Sequence, residues 1–240
     1  MKKLLFGSLI MLLFATGCGQ VFGKRVHGSG HITTQSRNIE SFNGIDVSGA
    51  IDVFVTQNAS TSARVEGDDN LLEYVVMEVR GNILQVHSRE GYNLHPSKHL
   101  RVYVTSPEYK SFEASGACDI QSENQIKSNS EISIGLSGAS DIKMDLDAPS
   151  VDADMSGAGT VELKGKTQNL SISGSGSSDI KCKDLMAENV RVDISGAGDA
   201  EVFASMKLDV EVSGAGTVKY KGTPSVSKNI SGAGSVKKID

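Results

Sequence analysis

One tripeptide, Ser-Gly-Ala, constrains this chain more than any other feature. It occurs at Ser48, Ser115, Ser137, Ser156, Ser195, Ser213 and Ser231, and a variant, Ser173-Gly174-Ser175, fills the long gap in the second half. From Ser115 onward the steps between these serines are 22, 19, 17, 22, 18 and 18 residues. A repeat of that length implies a stack of similar units, each too small to bury a core alone.

Counting from the serine as zero, position −1 is apolar in every copy: Val47, Ala114, Leu136, Met155, Ile172, Ile194, Val212 and Ile230. Position −3 is apolar until Lys228, and position −2 is mostly polar or small. Such alternation describes a strand with one buried face entering each motif. Beyond the motif, position +5 runs Val53, Ile120, Ile142, Val161, Ser178, Ala200, Val218, Val236, so a second strand leaves it. Between the two the small residues mark a bend, where glycine tolerates positive φ and close backbone approach. Around Ser173 the register is ambiguous: counting from Ser175 instead puts Asp179 at +4 and Ile180 at +5.

Position +4 carries only Asp, Thr or Ser: Asp52, Asp119, Asp141, Thr160, Ser177, Asp199, Thr217, Ser235. These side chains hydrogen-bond backbone at turns, so the row reads as a capping ladder. The alternative is a cation shared by Asp119 and Asp141, which adjacent rungs would place about 4.8 Å apart.

Units of about this length, made of short strands with no helical period, suit a single-stranded parallel β-helix, an all-β solenoid. A leucine-rich repeat would need a Leu ladder, and a propeller blade about 40 residues. An outer-membrane barrel would need aromatic girdles, whereas this chain has no Trp and 5% aromatics.

Residues 1–17 read as a bacterial export leader: Lys2 and Lys3, then an apolar run from Leu4 to Phe14 that is short for a membrane span. The leader ends in Ala15-Thr16-Gly17-Cys18, which resembles a lipobox and implies cleavage before Cys18, lipidation of its thiol and a membrane anchor there. Gly19 after the cysteine resembles outer-membrane sorting. Loss of Lys2 and Lys3 takes the formal charge from −5 to −7, which argues against nucleic acid as a partner. Residues 18–38 are polar and read as a tether, leaving 39–240 as the folded domain.

Inside that domain, Asp68-Asp69-Asn70 predicts the cap of a short helix over Leu71–Val76, and Gly81-Asn82 a tight turn. The 67 residues from Ser48 to Ser115 hold either three coils with decayed motifs or an inserted cap. A decorated N-terminal part is expected, because a solenoid must shield its open edge.

The stretch Phe42-Asn43-Gly44-Ile45-Asp46-Val47-Ser48-Gly49, the run Glu66-Gly67-Asp68-Asp69-Asn70-Leu71-Leu72 and the Ser-Gly-Ala ladder together resemble the DUF2807 family, the "putative auto-transporter adhesin, head GIN domain". The resemblance spans residues 40 to about 225. It implies a right-handed parallel β-helix exported to the cell envelope, with adhesion as the function its label gives, and it transfers no catalytic, cofactor or metal residues. This chain has a lipobox-like leader and no autotransporter barrel, a departure from the label.

Little chemistry stands out from the repeat. Cys118 and Cys182 fall three coils apart, about 14 Å at the interstrand spacing, beyond the roughly 7 Å that a disulfide spans, so both read as buried thiols. His95 and His99 are four apart, but Pro96 between them argues against a helical metal pair. No serine sits in a nucleophile elbow, and Asp119 with Asp141 is the one stacked acidic pair that an enzyme reading could use. The expectation is a lipid-anchored outer-membrane protein, not an enzyme and without cofactor, whose regular face binds glycan or protein. A structural envelope-maintenance lipoprotein is the alternative, and a carbohydrate-active enzyme a third reading.

Overall fold

The computed structural model describes residues 23–240, so the leader and Cys18 lie outside the described residues. The chain is a parallel β-helix of about seven turns. Successive Ser-Gly corners stack in register: Ser48 beside Ser115, then Ser137, Ser156, Ser175, Ser195, Ser213 and Ser231. The ambiguous coil is thereby resolved: its corner is Ser175-Gly176-Ser177, not Ser173-Gly174-Ser175. The coil steps become more even, and the +4 residue there is Asp179, paired with Thr160 and Asp199.

The coils turn at the Ser-Gly corner and again where the inward alternation breaks. Ala148 and Val151 are both buried around Pro149 in strand Asp141–Gly157, as are Thr167 and Leu170 in strand Thr160–Gly176. Inward rows of Val, Ile, Leu, Met and Ala fill the interior, nearly all fully buried. Cys118 and Cys182 occupy places in these rows as free thiols; burial pushes the Cys182 thiol up to about 12 and raises that of Cys118.

The 67-residue interval is an inserted cap, because Ser48 and Ser115 lie on adjacent rungs. Beyond the Ser48 rung, strand Ile83–Ser88 continues one side and Leu100–Ser106 the other, both parallel to it. Antiparallel strands then close this end: Val75–Arg80 on Ile83–Ser88, Ser62–Asp68 on Leu100–Ser106, and Ile32–Arg37 on Ser62–Asp68. The helix expected over Leu71–Val76 is a single 3₁₀ turn, Leu72–Tyr74, since Val75 already begins the extended strand of the Gly81-Asn82 hairpin.

The tether reading of residues 18–38 fails over most of its described part. Lys24–His27 pairs with Tyr92–His95, and Ile32–Arg37 joins the cap sheet. The physical reason lies in Asp68, whose buried carboxylate accepts hydrogen bonds from Gly30 N (2.7 Å), Ser97 N (2.8 Å) and Ser97 Oγ (2.6 Å). It joins the N-terminal arm to the loop before Leu100. Polar composition concealed strands whose energy comes from backbone pairing and one buried acid.

The corner glycines are required twice over. Gly116 has φ of 101°, and a Cβ there would sit 2.6 Å from the carbonyl oxygen of Gly49 on the previous rung. That same oxygen accepts the N–H of Ala117 at 2.8 Å. Gly49, on the first Ser-Gly rung, has a matching φ of 103° but nothing within 4 Å of its virtual Cβ. Gly49→Ala should therefore cost only backbone strain, about 1–3 kcal/mol. Gly116→Ala should cost about 2 kcal/mol more for the collision, read as the difference in urea midpoints. Equal losses would refute the steric part of this account.

Burial raises the Asp68 carboxyl, but the Ser97 and Gly30 hydrogen bonds outweigh it and hold it below the usual range. A depressed folded pKa gives stability that is present above the unfolded value of about 3.9 and lost as pH falls through the folded value. Urea midpoints at pH 3 and pH 6 should differ more in the native protein than in Asp68→Asn, which should also be less stable at pH 6.

Candidate functional site

Two outward surfaces follow from the coil geometry, and they differ in chemistry. On the strands entering each corner, positions −4, −2 and 0 face solvent. Position −2 reads Asp46, Glu113, Gly135, Asp154, Ser173, Asp193, Glu211 and Asn229 along the stack. Asp152 and Asp209 lie on the same face at −4, where Arg191 approaches Glu211 at 3.9 Å and Lys207 pairs with Asp209 at 2.6 Å, so the acids unpaired among the described residues are those from Asp46 to Asp193. Corner serines line the adjoining row. Small residues at Gly135 and Ser173 interrupt the acids and let the surface dip.

The result is a groove of about 560 Å³ running across several coils, lined by Asp46, Glu113, Asp154, Asp193 and the serines Ser115 to Ser195 of successive corners. Glu113 folds across Gly135, where any larger side chain would meet its carboxylate. Burial raises the Glu113 carboxyl, and the Asp46 and Asp154 charges raise it further. The groove therefore concentrates negative charge that the protein itself does not neutralise.

The strands leaving each corner carry a different surface. One outward row runs Arg64, Tyr103, Phe54, Gln121, Lys143, Glu162, Lys181, Glu201, Lys219, Lys237. It begins with the Arg64 guanidinium 3.9 Å from the Tyr103 ring centre and Phe54 stacked on Tyr103 at 5.0 Å. It continues as alternating charges, paired between coils: Lys143 to Glu162 at 2.7 Å and Glu201 to both Lys183 (2.9 Å) and Lys219 (3.1 Å). Neighbouring rows add Lys164 to Asp145 and Lys166 to Asp147. Exposed pairs of this kind contribute little each, about 0–1 kcal/mol, but they leave this face electrically balanced.

The +4 row is a capping ladder, and its partners lie on the next coil rather than in the same turn. Asp141 Oδ1 accepts the Thr160 N–H at 2.7 Å, and Asp199 Oδ1 accepts the Thr217 N–H at 3.0 Å. Asp52, Asp119 and Asp141 do stack on adjacent rungs, with His99 Nδ1 3.2 Å from Asp52. Among the described residues no group of three or more His, Cys, Asp or Glu side chains is arranged to hold a metal ion. His95 does not pair with His99; it stacks on His27, with ring centres 5.1 Å apart. Sequence reasoning missed the groove, because its signal, acids at −2 interrupted by Gly135 and Ser173, had been absorbed into strand alternation.

The DUF2807 sequence pattern, described as "Putative auto-transporter adhesin, head GIN domain", matches residues 41–224. Among solved structures, a "putative adhesin" from Bacteroides fragilis superposes with a TM-score of 0.83 at 25% identity, covering 89% of this chain and 100% of that one. A "putative lipid binding protein" from Parabacteroides distasonis gives 0.72 at 25% identity, covering 90% and 100%. A "putative adhesin" from Parabacteroides merdae gives 0.72 at 24% identity over the same shares, a likeness of fold. No curated protein sequence matches the chain.

Burial raises the Asp119 carboxyl, and Asp52 and Asp141 on the flanking rungs raise it further, against an opposing effect of His99. For an acid, a raised folded pKa means that stability falls as pH climbs from the unfolded value through the folded one. Removing this charge should therefore help at neutral pH. Asp119→Asn should melt about 1–2 °C higher at pH 7, given roughly 0.5 kcal/mol for relieving like charges across strands. The gain should vanish at pH 3, as thermal melts at the two pH values would read. The matches of sequence pattern and fold together place the chain in the DUF2807 family of adhesin-like proteins.

Proposed function

We propose that this protein is a lipid-anchored binding module of the cell envelope, without catalytic activity, and that its acidic, serine-lined groove is the ligand face. The observation that carries this reading is the contrast between surfaces. The outward face after the corner neutralises itself with inter-coil ion pairs, whereas the groove before it gathers Asp46, Glu113, Asp154 and Asp193. Carboxylates recurring every one or two rungs, beside a continuous row of hydroxyls, suit an extended partner that offers hydrogen-bond donors and positive charge. A glycan chain bearing amines or a basic protein segment has that chemistry. The family's adhesin label and the similar fold of the Bacteroides fragilis "putative adhesin" support a binding role.

Cys18 is the proposed lipid attachment, and the outer membrane the proposed location. Because the strand Lys24–His27 already belongs to the folded body, only residues 19–23 would separate the body from that anchor. At no more than about 3.5 Å per residue, the cap would stand close to the membrane surface and the groove would extend away from it.

Two measurements test this. Protease shaving of intact cells should remove the protein if the body faces outward; survival until lysis would favour the envelope-maintenance reading. Arrays of amine-bearing glycans and basic peptides should then show salt-sensitive binding, weakened at least tenfold in Asp154→Lys/Asp193→Lys and unaffected in Lys143→Glu. Equal binding by both variants would remove the groove from the proposal.

A further inference from the structure

The two ends of the solenoid are built differently. The N-terminal end is covered by antiparallel strands, of which Val75–Arg80 and Ile32–Arg37 each pair on one side only, whereas the C-terminal rung carries no covering strand among the described residues. Strand Ser225–Gly232 bonds to Asp199–Gly214, strand Ser235–Lys238 bonds to Thr217–Lys221, and neither has a further partner among the described residues. The open edge offers a row of free backbone N–H and C=O groups, the usual template for strand addition. It also exposes apolar residues from the inward rows, Val226 at 38% and Ile230 at 37%.

Two of the inward rows end on lysine. The −3 row is Ile45, Phe112, Ile134, Ala153, Ile172, Val192 and Val210, all buried, and then Lys228, in register with Val210. The +7 row includes Met144, Leu163, Cys182 and Val202, then the partly buried Tyr220, and then Lys238, in register with Tyr220. On any earlier rung these positions would hold their side chains in the core. On the last rung both carry a positive charge, and neither makes an ion pair with a described residue. Residues 215–240 carry five lysines against the single acid Asp240.

A second copy of the chain is the occupant that this edge would otherwise accept. The N-terminal end, finished by antiparallel strands, offers no rung of matching shape, so association would join two C-terminal ends about a two-fold axis. Val226, Ile230 and Val236 of each copy would then complete a shared core. The same symmetry would bury Lys228 and Lys238 of both copies without acidic partners, and unpaired charge in such an interface is strongly unfavourable. We infer that Lys228 and Lys238 hold the C-terminal end open against a second copy, and that removing their charge turns this end into a closed dimer interface.

Sedimentation equilibrium over about 10–200 µM tests this on the folded protein, with circular dichroism to confirm the β-sheet. The native chain should remain monomeric. Lys228→Val/Lys238→Val should form a dimer and nothing larger, with its dissociation constant lowered at least tenfold relative to the native chain. Lys221→Val/Lys237→Val, which removes the same net charge outside these two rows, should stay monomeric. If the valine pair fails to fold, Lys228→Glu/Lys238→Glu supplies the second test. Alone it should be monomeric, and mixed with the native chain it should give a one-to-one complex. A monomeric, folded valine variant would overturn the inference, as would dimerisation of the control or no complex in the mixture.

Discussion

The fold depends on one contact repeated along an edge: a corner glycine carbonyl accepting the amide of the residue after the next corner glycine. Gly49 O receives Ala117 N, Gly116 O receives Ala139 N, and the series continues to Gly214 O and Ala233 N, each near 2.8 Å. The contact works because the backbone turns through positive φ and because no Cβ stands in the way. Everything else in a coil is set by it. A corner held at that separation places the −1 and −3 residues of adjacent strands in register. The apolar rows then stack like on like, and the ion pairs of the outer face meet their partners one rung away.

This explains which features were legible in the sequence. Residues that serve the stack are constrained in every coil, so the Ser-Gly corner, the apolar −1 row and the +4 row of Asp, Thr and Ser recur and can be aligned by eye. The coil at Ser173 misled the alignment because its local string, Ser173-Gly174-Ser175-Gly176-Ser177, offers two corners that composition cannot separate. Pairing separates them: only Gly176 lies opposite both Gly157 and Gly196, with φ of 97°. The cap was poorly legible for the opposite reason. Its strands occur once, and the arm of residues 24–37 is held by backbone pairing and by Asp68, whose partners Gly30 and Ser97 lie far away in sequence.

The site was least legible of all. Outward positions on a β-helix are free to vary as far as stability is concerned, so no rule of folding marks Asp46, Glu113, Asp154 and Asp193 as a set. They become a set only when the register is known and the −2 row is read down the stack instead of along the chain. Read that way, one face of the solenoid spends its charge on itself, and the other leaves the acids from Asp46 to Asp193 without an ion pair among the described residues. Lys143, Lys164, Lys166 and Lys183 each find an acid on a neighbouring coil, while on the groove face Arg191 approaches Glu211 and Lys207 pairs with Asp209.

That asymmetry also bears on how a solenoid of this kind can stay a single particle. A stack built by adding equivalent rungs has no intrinsic reason to stop, and each end is a site for more of the same. At the N-terminal end the chain changes direction, and the antiparallel cap strands present no rung that matches the shape of a parallel coil. At the other end the direction never changes, and Ser225–Gly232 remains a competent strand to its last residue. Growth there is opposed by chemistry, through lysines standing where the preceding rungs place Val210 and Tyr220. The geometry of the corner makes the fold extensible, and the charges on its last described rung oppose the addition of a second copy there.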